Sequence, residues 1–168
     1  KKLGTEPAFE LGPLEPKNRV CLHGTFQTHQ SGTPRFWKFL RDVWKDLEAN
    51  FDEIVFTGTP DERARAKELY PQWTDFDDHG DFLELARFMG SSRLVLGAGS
   101  SGVALSSVLK VPTVRIHDSI GEAPRVIWSG LGEFQWNETE IGARKLWPEI
   151  LERIVARKNE TVEHEAML

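Results

Sequence analysis

Two stretches of this sequence gather residue types that can hold an anion. The first is His23-Gly24-Thr25-Phe26-Gln27-Thr28-His29-Gln30-Ser31-Gly32-Thr33-Pro34-Arg35, rich in glycine, hydroxyl and amide groups and ending in a cation just ahead of a helical pattern. Phosphate oxygens need donors of this kind, although a long polar loop has the same composition. The second is Gly97-Ala98-Gly99-Ser100-Ser101-Gly102, which runs straight into a small-residue helical pattern. Glycines let a ligand approach the backbone, and a helix N-terminus offers unpaired N–H groups and partial positive charge. An ordinary strand-to-helix turn also takes Gly and a Ser cap. The stretch is neither a full G-x-G-x-x-G after the first strand nor a P-loop, since no Gly-Lys-Ser/Thr follows, so NAD and ATP motifs are disfavoured.

The elements that would position these stretches are legible from hydrophobic periodicity. Val20–Leu22, Ile54–Phe56, Leu94–Leu96 and Thr113–Ile116 are short apolar runs bounded by Gly, Pro, Asp or His, the pattern of buried parallel strands. Between the first two, Phe36, Phe39, Leu40, Val43, Trp44 and Leu47 form one stripe of an amphipathic helix. Pro60, followed by Asp61 and Glu62, opens a helix to about Leu69, and Phe82, Leu85, Ala86 and Met89 mark another. A weak strand is placed around Trp73–Phe76, a helix from Ser100 to Lys110, and a long helix from Ile141 to Lys158 with Pro148 as a kink or break. Alternating strands and helices predict an α/β fold, a Rossmann-like three-layer sandwich with a mostly parallel sheet. Ligands in such sheets bind beyond the carboxyl ends of the strands, which is where both candidate stretches fall.

Composition sets the outer bounds. With 168 residues the chain builds one core, and 39% hydrophobic against 28% charged residues is ordinary for a globular domain. The expected division is a proline-containing lead-in over residues 1–18, a domain over 19–158 and a flexible tail over 159–168. A formal charge of -5 disfavours nucleic acid as a partner, and no apolar run approaches a membrane span. The single cysteine, Cys21, excludes an internal disulfide and fits a reducing cytoplasm. His23, His29, His79 and His117 show no metal-ligand spacing, so no metal is expected. The start at Lys1 without Met suggests a segment of a longer polypeptide.

Leu85-Ala86-Arg87, then Leu94-Val95-Leu96-Gly97-Ala98-Gly99-Ser100-Ser101-Gly102-Val103-Ala104-Leu105, then Leu109 and Pro112-Thr113-Val114 resemble the C-terminal half of the heptosyltransferase family of GT-B glycosyltransferases. That family reads leucine-rich helix, strand, an Asp-Ser/Thr-Gly-x-x-His turn, a small-residue helix and a Pro-led strand. Leu22-His23-Gly24 is similar to its first strand end, Arg35 and Trp37 to its Lys-x-Trp, and Phe56 to Glu62 to its strand, Gly and acidic helix start. The resemblance covers roughly residues 19–158. It implies a domain that binds a nucleotide-sugar donor as substrate, with no cofactor, beside an acceptor-binding domain upstream in the parent chain. Thr25 and Arg35 would face the phosphates, Glu62 the nucleoside, and Gly97, Gly99, Ser100, Ser101 and Gly102 the diphosphate and its junction with the sugar. Gly99 stands where the family has Asp, and Ala104 where it has His, so either the donor differs or the domain binds without catalysing. No catalytic residue is assigned.

Other residues have blander readings. Asp77-Asp78-His79, ahead of a helix, and Asp118, after the fifth strand, are placed to cap helices or turns, with contact to a ribose or action as a base as the alternatives. Trp37, just outside the helix stripe, is placed to stack on a base. Asn137-Glu138-Thr139 and Asn159-Glu160-Thr161 match the glycosylation acceptor pattern. The alternatives to a transferase are a degenerate, non-catalytic glycosyltransferase-like scaffold and an unrelated Rossmann-like enzyme, such as a sugar-nucleotide epimerase or a flavodoxin-like protein.

Overall fold

The computed structural model describes residues 11–23, 33–69, 76–77, 80–98, 101–117 and 135–166. The elements are β1 (Lys17–His23), α1 (Thr33–Asn50), β2 (Glu53–Thr57), α2 (Pro60–Leu69), β3 (Phe76–Asp77), α3 (Phe82–Gly90), β4 (Ser92–Ala98), α4 (Ser101–Val108), β5 (Thr113–His117), β6 (Gln135–Thr139) and α5 (Glu140–Ala166). The strands form one parallel sheet in the order β3-β2-β1-β4-β5-β6. This is the doubly wound Rossmann order, and the direction of winding reverses between β1 and β4.

Alternation along the strands divides the core into two. Val20, Leu22, Phe56, Leu94, Leu96, Val114 and Ile116 point to the face covered by α1 and α5, where Phe36, Phe39, Leu40, Leu47, Trp147, Ile150 and Ile154 meet them. Cys21 and Val95 point to the opposite face, against Ala86, Met89, Leu105 and Val111 around α3 and α4. Leu11, in the lead-in, packs against this second cluster. Two core clusters on either side of one sheet make the three-layer sandwich that the sequence predicts.

The helix stripe on α1 is buried as expected, and ionic contacts tie α1 to α5. Glu140 receives Lys38 at 3.1 Å and Arg144 at 3.0 Å, and Arg144 also meets Asp42. Three features differ from the sequence reading. A sixth strand, β6, follows β5 where no strand was expected. The weak strand is seen at Phe76–Asp77, one residue beyond its expected end, and residues 73–75 lie outside the described residues. Helix α5 runs unbroken past Pro148 to Ala166. Pro148 sits on the exposed side, while Ala143, Trp147, Ile150 and Ile154 bury the opposite side, so packing carries the helix across the missing N–H.

Candidate functional site at the switch point

In a doubly wound sheet ligands bind beyond the carboxyl ends of the strands where the winding reverses, here between β1 and β4, and the residues at that end are set by register. Asp77, Thr57, His23, Gly97, Arg115 and Asn137 are successive partners across all six strands. Paired residues share a face of the pleat, so this is one polar row above the apolar rows that fill the core. Gly97 stands at its centre because α4 comes down upon it: a Cβ there would collide with the carbonyl oxygen of His23 and with Val103 Cγ2. Glycine is required for this close approach of helix and sheet.

His23 is the best defined side chain of the site. Its Nδ1 lies 2.9 Å from Thr57 Oγ1, which is fully buried and is also 3.5 Å from Cys21 Sγ. The far side of the ring rests on the first turn of α4, where a Cβ on Gly102 would lie 2.7 Å from both Cδ2 and Cε1 and closer still to Nε2. One ring nitrogen is therefore oriented by β2, and the other is presented beside the amino-terminal turn of α4. With Nδ1 accepting from Thr57 Oγ1, or with the ring protonated, an imidazole held in this way can give an N–H to an anion bound at the helix terminus.

The other expected site residues divide. Arg35 is exposed on the first turn of α1, near the carboxyl end of β1. Glu62 closes a capping box at the start of α2: the Thr59 N–H donates to Glu62 Oε2 at 2.7 Å, and the Glu62 N–H donates to Thr59 Oγ1 at 3.3 Å. This reciprocal pair is the visible role of Glu62. Gly97 and Gly102 sit where β4 meets α4. Thr25, Gly99 and Ser100 lie outside the described residues, as do Asp78, His79 and Asp118, and Ser101 is described only as the start of α4. Trp37 is 5% exposed, with its ring against Phe36 and Phe56, so it belongs to the core and offers no stacking face. Asn137 of the first glycosylation pattern lies in β6 with its Oδ1 buried, unlike an acceptor on an exposed loop. Among the described residues, no group of three or more His, Cys, Asp or Glu is placed to hold a metal. Within the same residues, no helix is long and apolar enough to cross a membrane.

No family model and no curated protein matches the sequence. Solved structures do match. The E. coli heptosyltransferase WaaC with ADP-2-deoxy-2-fluoro heptose superimposes at a TM-score of 0.52, with 15% identity, over 86% of this chain and 44% of that one. The UDP-GlcNAc 2-epimerase from Methanocaldococcus jannaschii does so at 0.55, with 16% identity, over 87% of this chain and 40% of that one. The chain shares the Rossmann-like α/β architecture of the part of these GT-B structures that it covers. The chain spans less than half the length of either GT-B structure. At such identities the likeness fixes the architecture and leaves the chemistry to the site.

Proposed function

We propose that this chain is the donor-binding domain of a glycosyltransferase, holding a nucleotide sugar over the carboxyl ends of β1 and β4. The observation that carries the reading is the imidazole of His23, oriented by Thr57 and seated on Gly102 at the start of α4. A diphosphate there meets the positive end of the α4 dipole and takes an N–H from His23. Arg35 reaches the same anion from the first turn of α1. The two neighbours, a transferase solved with an ADP-linked sugar and an epimerase of UDP-GlcNAc, differ in reaction and share a nucleotide-linked sugar. The resemblance through Leu94–Leu105 and Pro112–Val114 favours transfer. An acceptor-binding domain upstream in the parent chain would then supply the second substrate and the base, because the Asp and His of the family turn are replaced by Gly99 and Ala104.

The test is a thermal-shift and calorimetric panel of UDP, GDP, ADP, CMP and TDP with their sugars, on the wild type and on Arg35→Glu. A ligand that binds only the folded state stabilises it by about 2.7 kcal/mol at a hundredfold excess over Kd. Saturable stabilisation by one nucleotide, lost in Arg35→Glu, is the expected result. No response at millimolar ligand would overturn the donor-binding reading.

A second reading rests on the same two replacements: a domain that kept the fold and binds without turnover. The parent chain distinguishes the two. Release of nucleoside diphosphate from the bound sugar nucleotide in the presence of acceptor supports transfer, and binding without release supports the scaffold.

A further inference from the structure

Strands β5 and β6 carry polar residues on one face at three levels, and the fold treats the lowest differently from the two above it. At the lowest level Thr113 pairs with Gln135, and every visible polar group is used. Thr113 Oγ1 donates to the Val111 carbonyl at 2.8 Å and lies 2.9 Å from Ser106 Oγ. Gln135 Nε2 donates to the same carbonyl at 2.6 Å, and Gln135 Oε1 accepts from Ser107 Oγ at 2.6 Å. Two residues further on Arg115 pairs with Asn137, and two beyond that His117 pairs with Thr139. Thr139 Oγ1 accepts from the Gly142 N–H at 3.1 Å and so caps α5. Asn137 Oδ1 and His117 Nδ1, by contrast, are buried atoms with no hydrogen-bonding partner among the described residues.

A buried carbonyl without a donor costs of order 1–3 kcal/mol, and native folds keep few of them. These two atoms belong to neighbouring strands, on residues offset by two positions and so roughly 8 Å apart at the backbone, on the same face as Arg115 and Gly97. What satisfies them must give a hydrogen to Asn137 Oδ1, which only accepts, and exchange one with His117 Nδ1, which does either. An anion has no hydrogen to give. A ligand bearing more than one hydroxyl group does both, and its oxygens can also accept from the Arg115 guanidinium.

We infer that the carboxyl ends of β5 and β6 form the hydroxyl-recognising part of the site, in which Asn137 and His117, beside Arg115, read the sugar of a nucleotide sugar. This rests on the donor-binding reading and adds a direction to it. The diphosphate sits at β1 and β4, and the sugar extends toward β6, away from the β2 side where Glu62 stands.

The experiment compares each sugar nucleotide of the panel with its own nucleoside diphosphate by calorimetry, in the wild type, Asn137→Leu and His117→Phe. The variants are expected to weaken the sugar nucleotide roughly tenfold, the value of about one hydrogen bond, and to leave the nucleoside diphosphate within twofold. Asn137→Leu is also expected to melt no lower than the wild type, since it removes an unpaired buried carbonyl. Sugar-nucleotide affinity unchanged in both variants, with the nucleotide still bound, overturns the inference and leaves the donor-binding reading standing. Equal loss of both ligands, or a marked fall in the melting temperature of Asn137→Leu, assigns these residues to the fold and likewise overturns it. A wild type that binds no nucleotide defeats the donor-binding reading and this inference with it.

Discussion

At the amino-terminal rim of the sheet, Arg19 is 4% exposed; its guanidinium donates to the Phe88 carbonyl, Ser91 Oγ and Ser92 Oγ at 2.9, 2.7 and 3.2 Å and stacks over the Phe88 ring. Arg93 nearby donates to Asn18 Oδ1 and to the carbonyls of Ile154 and Val155 at 2.7, 2.6 and 3.1 Å. Burial lowers the pKa of Arg93, and the charge of Asp52 opposes that shift. At the carboxyl-terminal rim the polar row through His23, Arg115 and Asn137 includes a buried carbonyl with no partner among the described residues, and its central member, Gly97, has no side chain. One rim spends its polar groups on holding strands and helices together. The other keeps part of its hydrogen-bonding capacity unused, which costs stability and leaves something for a ligand to complete.

Substitutions at the two rims should therefore separate stability from binding. Arg19→Leu is expected to cost about 3 kcal/mol in urea unfolding, because it removes three hydrogen bonds to a buried guanidinium and leaves the Phe88 carbonyl with the Ser91 and Ser92 hydroxyls alone, while the folded fraction binds nucleotide as before. A cost below about 1 kcal/mol would break the comparison. Gly97→Ala is expected to cost about 2 kcal/mol by overpacking, since the His23 carbonyl oxygen is backbone and cannot swing aside, and to weaken nucleotide binding as α4 is pushed off the sheet. Glu62→Ala sharpens the boundary between the roles: loss of the capping box lowers stability by about 1 kcal/mol with nucleotide affinity unchanged, whereas a tenfold loss of affinity would place this carboxylate on the nucleoside. The smallest effect is expected at the amino-terminal side, where Lys110 ends α4 with a φ of 58°. The Lys110 and Val111 N–H groups return to the Ser107 and Ser106 carbonyls, both at 3.0 Å, a Schellman closure that favours glycine. Lys110→Gly should raise stability by about 0.5–1 kcal/mol in thermal unfolding and leave binding alone.

The parts of the molecule that can be read from sequence are those whose signal is local. The α1 stripe, the four apolar strand centres and the turn before α4 each announce themselves within a window of a dozen residues. β6 does not. Its residues Gln135, Trp136, Asn137, Glu138 and Thr139 are all half-buried, with Trp136 packing on the main core from one face and polar groups on the other. Only its pairing with β5 makes it a strand. Pro148 misleads for the opposite reason, because a local rule is overridden by a long buried stripe. At the site, His23 is visible as a strand-end histidine. Its partners Thr57 and Gly102 are brought to it by the sheet order, which periodicity does not encode. The same holds for Asn137 and His117, whose only local hint is that both strands turn polar at their carboxyl ends.

The placement of β1 has a consequence for how the chain is made. β1 is a central strand and the first of these six to be synthesised, yet its neighbour β4 lies roughly 70 residues downstream, and the carbonyls that receive Arg93 lie midway along α5. At about 5–20 residues per second a ribosome delivers β4 only several seconds after β1. During that interval Val20, Cys21 and Leu22 have at most the β2 side of the sheet to pair with, and the β4-facing edge of an apolar strand stays open to other chains. Nascent chains of this protein are therefore most vulnerable to aggregation and to chaperone capture before residue 98 has emerged, and that vulnerability ends when β4 docks.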